Sequence, residues 1–140
     1  MLIEEYGEEA FLAELKAMFG PTAEGVPAGI GDDAAVLKAG DAANVWTTDM
    51  MIEGIHFRRQ WQTAAELGRK SLTVNLSDLA SMGASPRYAL LSLGIPAGTS
   101  VDFMRHLCRG VADQAQEASV ALIGGDTTAS DGGLVISIAL

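Results

Sequence analysis

Helical and extended apolar patterns follow one another in an order that is not strictly alternating, and that order limits the folds open to these 140 residues more than any other feature. Phe11, Leu12, Leu15, Met18 and Phe19 recur at helical spacing within residues 3–19, ahead of the stop signal Gly20-Pro21. Residues 21–33 carry Pro and Gly at short intervals and predict a loop. Ala34–Leu37 and Asn44–Thr48 predict short strands about a turn at Gly40-Asp41. Thr63 and Glu66 form a capping box, and Leu67, Leu72, Val74, Leu76 and Leu79 carry a helix to Met82, which Gly83 and Pro86 end. Tyr88–Ile95 predicts a strand, and Ser100–Ala118 a helix with Phe103, Leu107, Val111 and Ala115 on one face. Val120–Ile123 predicts a buried strand and Leu134–Leu140 a last one.

The order α-β-β-α-β-α-β-β predicts an α+β fold, a four- to five-stranded mixed sheet with helices packed on one face. The other face is expected to be apolar and covered by a second subunit. The apolar run Leu134–Leu140 has no terminating turn, which predicts a domain of a longer protein or a strand completed by another chain. Eighteen acidic residues against nine basic ones give a net charge of −9, the wrong sign for a nucleic-acid surface. No apolar run is long enough to span a bilayer and the first residues lack a basic segment, so a soluble, cytoplasmic protein is expected. The single cysteine, Cys108, makes no internal disulfide and reads as a packing residue in a reducing compartment.

Four acidic clusters stand at element ends: Gly31-Asp32-Asp33, Thr47-Thr48-Asp49, Asn75-Leu76-Ser77-Asp78 and Gly124-Gly125-Asp126. Two unit charges about 5 Å apart repel by roughly 3 kcal/mol at an effective dielectric near 20, so a convergent set calls for a cation, and a hard divalent metal suits oxygen donors. Taken singly, Asp32-Asp33 reads equally as a solvated turn and Asp49 as a strand-end cap. Asn75 and Asp78 share a helix face with Met82, and a polar pair there needs partners if buried.

Other motifs fail on context. Gly29-x-Gly31-x-x-Ala34 lacks the preceding strand and following helix of a dinucleotide site. Gly68-Arg69-Lys70-Ser71 lacks the glycine before lysine that a P-loop needs. No spacing fits an EF-hand or a zinc site. His56 on these grounds is a polar residue at a core edge, His106 is exposed, and Arg58, Arg59 and Lys70 are solvated or salt-bridged.

Read in order, Gly29–Leu37, Thr47–Phe57, Leu67–Ala84 and Leu122–Thr128 closely resemble the thiamine-monophosphate kinase family, within the superfamily of aminoimidazole ribonucleotide synthetase. The resemblance implies an amino-terminal ATP- and Mg²⁺-binding dimerisation domain over residues 1–140, with the family's carboxy-terminal domain absent, and a sheet that pairs with a second subunit into a barrel-like homodimer. It implies phosphoryl transfer from ATP to thiamine monophosphate, giving thiamine diphosphate. Asp33, Thr47, Thr48, Asp49, Asp78 and Asp126 match the Mg²⁺ positions. Gly125 and Asp126 match an ATP-contacting turn, His56 a substrate contact, and Asp32 a residue behind the ligands. The alternatives are another ATP-using member of the superfamily or a noncatalytic dimerisation module.

Overall fold

A computed structural model describes residues 8–19, 26–28 and 32–140. The predicted start of the first helix, the Gly20-Pro21 stop and Gly29–Gly31 lie outside the described residues. The chain divides into two compact units, Met1–Trp46 and Thr47–Leu140.

In the first unit, helix α1 spans Glu8–Phe19, and strands β1 (Ala35–Ala39) and β2 (Ala42–Trp46) form an antiparallel hairpin. The turn falls where Gly40-Asp41 predicts it, with Gly40 at φ 62°. Val36 also takes a bridge from Ala28, its N–H donating to the Ala28 carbonyl at 3.0 Å.

The second unit carries β3 (Thr48–Ile52), a 3₁₀ turn (Arg59–Trp61), α2 (Ala64–Ser81), β4 (Tyr88–Pro96), α3 (Val101–Glu117), β5 (Ala121–Ser130) and β6 (Val135–Ala139). Its sheet is mixed, in the order β3-β6-β4-β5, with β4 and β5 parallel and the other neighbours antiparallel. The sequence had run β2 into Thr48. Instead the chain breaks at Thr47 and begins a further strand that pairs with β6, because Thr47 exchanges both backbone hydrogen bonds with Leu140 at 3.0 Å.

Both helices lie on one sheet face. Strand β6 alternates buried Ile136 and Ile138 toward them with half-exposed Val135, Ser137 and Ala139. Helix α2 buries Leu67, Leu72 and Leu79, and α3 buries Leu107, Val111 and Ala115, as their spacing predicts. Each of these leucine and valine side chains contributes about 1.5–3 kcal/mol of transfer free energy. The capping box at α2 is formed, with the Glu66 N–H donating to Thr63 Oγ1 at 3.2 Å and the Thr63 N–H to Glu66 Oε2 at 2.7 Å. The two helices cross at glycines. A methyl group on Gly68 would overlap the Leu107 carbonyl, and one on Gly110 the Ala65 carbonyl. Gly68 thus serves backbone contact between helices, which accounts for a glycine in the segment that mimics a P-loop.

Strand β5 departs from expectation in two ways. It runs through Gly124-Gly125-Asp126 to Ser130 rather than ending at Ile123, and its residues from Ala121 to Ala129 are exposed rather than buried. Among the described strands it stands at the sheet edge, beside β4 alone, so only one side of it is paired.

Candidate functional site: a carboxylate pair between β3 and α2

Strand β3 ends the sheet on the other side, and the polar stripe of α2 packs over its helix-facing side. Residues three and four apart on a helix share a face, so Ser71, Asn75 and Asp78 form one stripe. The Asp49 N–H donates to Asn75 Oδ1 at 3.0 Å, and Thr47 Oγ1 donates to Asp78 Oδ2 at 3.0 Å. Thr47 and Asn75 are buried, and Asn75 Nδ2 donates to the Ser71 carbonyl at 3.1 Å. The polar pair of α2 therefore has the partners that its burial requires.

Asp49 and Asp78 consequently face each other as like charges. Burial pushes the Asp49 carboxyl above its ordinary 3.8, the Asp78 charge pushes it further up, and only His56 pulls the other way. Two carboxylates in this relation are a donor set for a hard cation, whose charge would relieve the repulsion. Thr48 points to the other face, where its Oγ1 donates to the Ile138 carbonyl at 3.1 Å.

His56 lies in a tight loop after β3. Its N–H and that of Ile55 both donate to the Ile52 carbonyl, at 2.9 and 3.1 Å, while its Nδ1 accepts the Ile52 N–H at 3.0 Å. That acceptor role leaves Nε2 as the ring's outward donor. Lys70 Nζ reaches the His56 carbonyl at 3.4 Å. Glu53 holds the loop in place: Oε2 accepts the Leu134 N–H at 2.9 Å and Oε1 pairs with Arg59 Nε at 2.9 Å. Burial works against the Glu53 charge, but the Leu134 amide and Arg59 outweigh it and hold the carboxyl below its ordinary range. Arg59 also stacks on Phe103, 4.6 Å from the ring centroid, and donates to Thr99 Oγ1 at 3.3 Å. Arg59 is thus a structural strap, and Arg58 stacks on the exposed Trp61 at 5.6 Å.

Asp126 stands elsewhere. The register places Met50, Ser137, Ser92 and Asp126 in one row across all four strands. These four line a shallow cavity of about 270 Å³ on the open sheet face, away from the helices. Successive side chains on a strand alternate faces, so Asp49 and Met50 point oppositely. Asp126 is therefore on the far face and three strand spacings from β3, roughly 14 Å in the sheet plane. Gly125 and Asp126 lie within strand β5, which corrects the expected turn. Gly125, at φ 151°, is required by the ladder itself, since a Cβ there would overlap the Leu91 carbonyl.

Asp33 and Asp32 belong to the first unit and are exposed, the Asp33 N–H donating to Asp32 Oδ1 at 2.9 Å. Among the described residues no three His, Cys, Asp or Glu gather as a metal cluster. The structure thus brings together Thr47, Asp49, Asp78 and His56 of the expected set, and adds Asn75, which the sequence marked only as the polar neighbour of Asp78, and Glu53, which no motif announced. Cys108 is an exposed residue of α3 rather than a packed one, with partial burial of the thiol raising its pKa, and His106 is exposed as expected.

A mixed α+β domain with helices on one sheet face, carrying an acidic pair at a strand-helix seam, is the class that the fold and site define. The family model described as AIR synthase related protein, N-terminal domain, matches residues 31–140, and the chain belongs to that family. It is similar to thiamine-monophosphate kinase of Corynebacterium glutamicum, 43% identical over 110 residues, which cover 77% of this chain and 33% of that protein. It is 37% identical to thiamine-monophosphate kinase of Rhodopirellula baltica, covering 95% of this chain and 44% of that one. The solved structure of AaThiL complexed with AMPPCP and TMP superposes with a TM-score of 0.89 at 28% identity, covering 99% of this chain and 42% of that one. The chain spans less than half the length of each of these relatives. No helix among the described residues is long and apolar enough to cross a membrane.

Proposed function

We propose that the chain is the ATP- and Mg²⁺-binding part of a thiamine-monophosphate kinase, which transfers the γ-phosphoryl group of ATP to thiamine monophosphate. The observation that carries this reading is the Asp49–Asp78 pair, two like charges held together by Thr47 and Asn75 in a fold similar to AaThiL. The donor set fits a hard divalent cation. When bound, Mg²⁺ neutralises phosphate charge and aligns donor and acceptor.

Donor and acceptor are both anionic, and a phosphate oxygen attacks without first losing a proton to the protein. What the chain supplies is placement. Asp49 and Asp78 would hold the cation, with Thr47 orienting the Asp78 carboxylate through its hydroxyl. His56, its Nδ1 occupied by the Ile52 N–H, presents Nε2 as a donor suited to a substrate phosphate. Asp33, Asp126 and Thr48, whose side chain lies on the other face of β3, remain proposed ligands, with Asp32 behind Asp33. Gly125 is proposed to approach ATP through its backbone.

A homodimer is proposed through the open sheet face, where Met50 and Leu90 are 54% and 39% exposed, and a cytoplasmic location follows from the proposed activity. In the full-length protein, Asp78→Asn should lower turnover by about 10²–10³-fold, the scale for removing a charge-stabilising group, while shifting Tm little. Turnover equal to wild type would reject the assignment.

The exposed β5 edge and open face also favour a noncatalytic association module. ATP with Mg²⁺ separates the readings, because a bound ligand stabilises the folded state by RT ln(1 + [L]/Kd) and so raises Tm, whereas an association module would show no shift.

A further inference from the structure

Thr47 and Glu53 donate to carbonyls at the two ends of β6, so Asp49, of the same parity, also turns its N–H toward β6, and there a side chain of α2 that is itself 0% exposed reaches in to accept it. An asparagine amide has an acceptor end and a donor end. Here the donor end is committed to the Ser71 carbonyl at 3.1 Å, one turn back along α2, so the acceptor end is fixed toward β3. Three residues further along the helix, Asp78 takes the second bond from Thr47, two residues back along the strand. The pairs Asp49–Asn75 and Thr47–Asp78 thus bolt the strand to the helix at two points, and only the first involves an uncharged, fully buried side chain.

We propose that Asn75 is a positioning residue that sets Asp49 beside Asp78 as a bidentate cation site, without itself touching the cation. The inference rests on the reading that Asp49 and Asp78 face a divalent cation. Without the Asn75 acceptor, Asp49 loses its tie to α2 and the Thr47–Asp78 bond is left to hold the carboxylates together against their mutual repulsion. Partners that orient metal ligands are worth about ten- to a hundredfold in affinity.

The test uses the 140-residue chain and Mn²⁺ as probe, with Asn75→Ala and the volume-preserving Asn75→Leu, so that a folding defect in one leaves the other to decide. Mn²⁺ affinity is followed by electron paramagnetic resonance, and exchange of the Asp49 amide by NMR. The expected result is Mn²⁺ binding at least about tenfold weaker in the folded variant. The Asp49 amide should exchange faster while the amides of Leu93 and Leu107 stay protected. Mn²⁺ affinity equal to wild type in a folded Asn75 variant, with Asp78→Asn abolishing binding, overturns the positioning role and leaves the cation reading intact. A wild-type chain with no saturable Mn²⁺ site overturns the cation reading and the inference with it.

Discussion

The two edges of the second unit's sheet are finished differently. At β3 a helix packed on the strand's inner face makes side-chain hydrogen bonds with it, and two carboxylates meet at the seam. At β5 ten residues run along the opposite edge with none buried, and Asp126 faces a shallow open cavity. A strand tied to a helix has its charged groups placed by that helix, whereas an open one leaves its groups to be positioned by whatever docks on it. The Asp49–Asp78 pair is accordingly a property of this chain, and the contribution of Asp126 is proposed to depend on ligand or on a second copy.

The largest expected effect probes what both edges share. Ile138 is 1% exposed at the centre of the sheet, so Ile138→Ala should lower stability by about 2–5 kcal/mol in urea unfolding. Its counterpart on the open edge is Ile123, 62% exposed, where alanine should change stability by about 0.5 kcal/mol or less. Equal losses at the two positions would show that β5 is buried in solution by association.

Between these lies the cap of the helix that covers β3. Thr63→Ala removes the acceptor for the Glu66 N–H and should cost about 1 kcal/mol, read as a lowered urea midpoint.

The smallest effect is the pH dependence of the seam. Folded Asp49 keeps its proton at pH values where the unfolded carboxyl, at 3.8, has already lost it. The folded state therefore binds more protons, and stability falls as pH rises from 3.8 through the raised value. Asp49→Asn removes that step, so Tm of the variant should gain on wild type as pH rises through this window, by a small margin because the group is partly solvated. A gap in Tm that stays constant with pH would show that burial and the Asp78 charge together do not raise the Asp49 carboxyl in the folded protein.

Much of this architecture was legible in the chain because periodicity reports burial directly. Leu67, Leu72 and Leu79 on α2 and Leu107, Val111 and Ala115 on α3 face the core as their spacing requires. The Thr63 cap begins α2 for a local reason contained within four residues. Strand β3 was missed because its start at Thr48 depends on pairing with residues some ninety positions away, and no local turn residue marks the break at Thr47. The burial of β5 was misjudged because an apolar run does not say whether its strand is central or at an edge. For the site, acidic residues at element ends named Asp49 and Asp78, but not which acids share a sheet face. That depends on the parity of each strand, which placed Asp126 opposite Asp49.

Gly68 and Gly110 let α2 and α3 meet backbone to backbone, with no side chain between them to act as a cushion. At either position even one added methyl group would have to push α3 away from the helix that carries Asp78, so the spacing between the two helices is set by glycine.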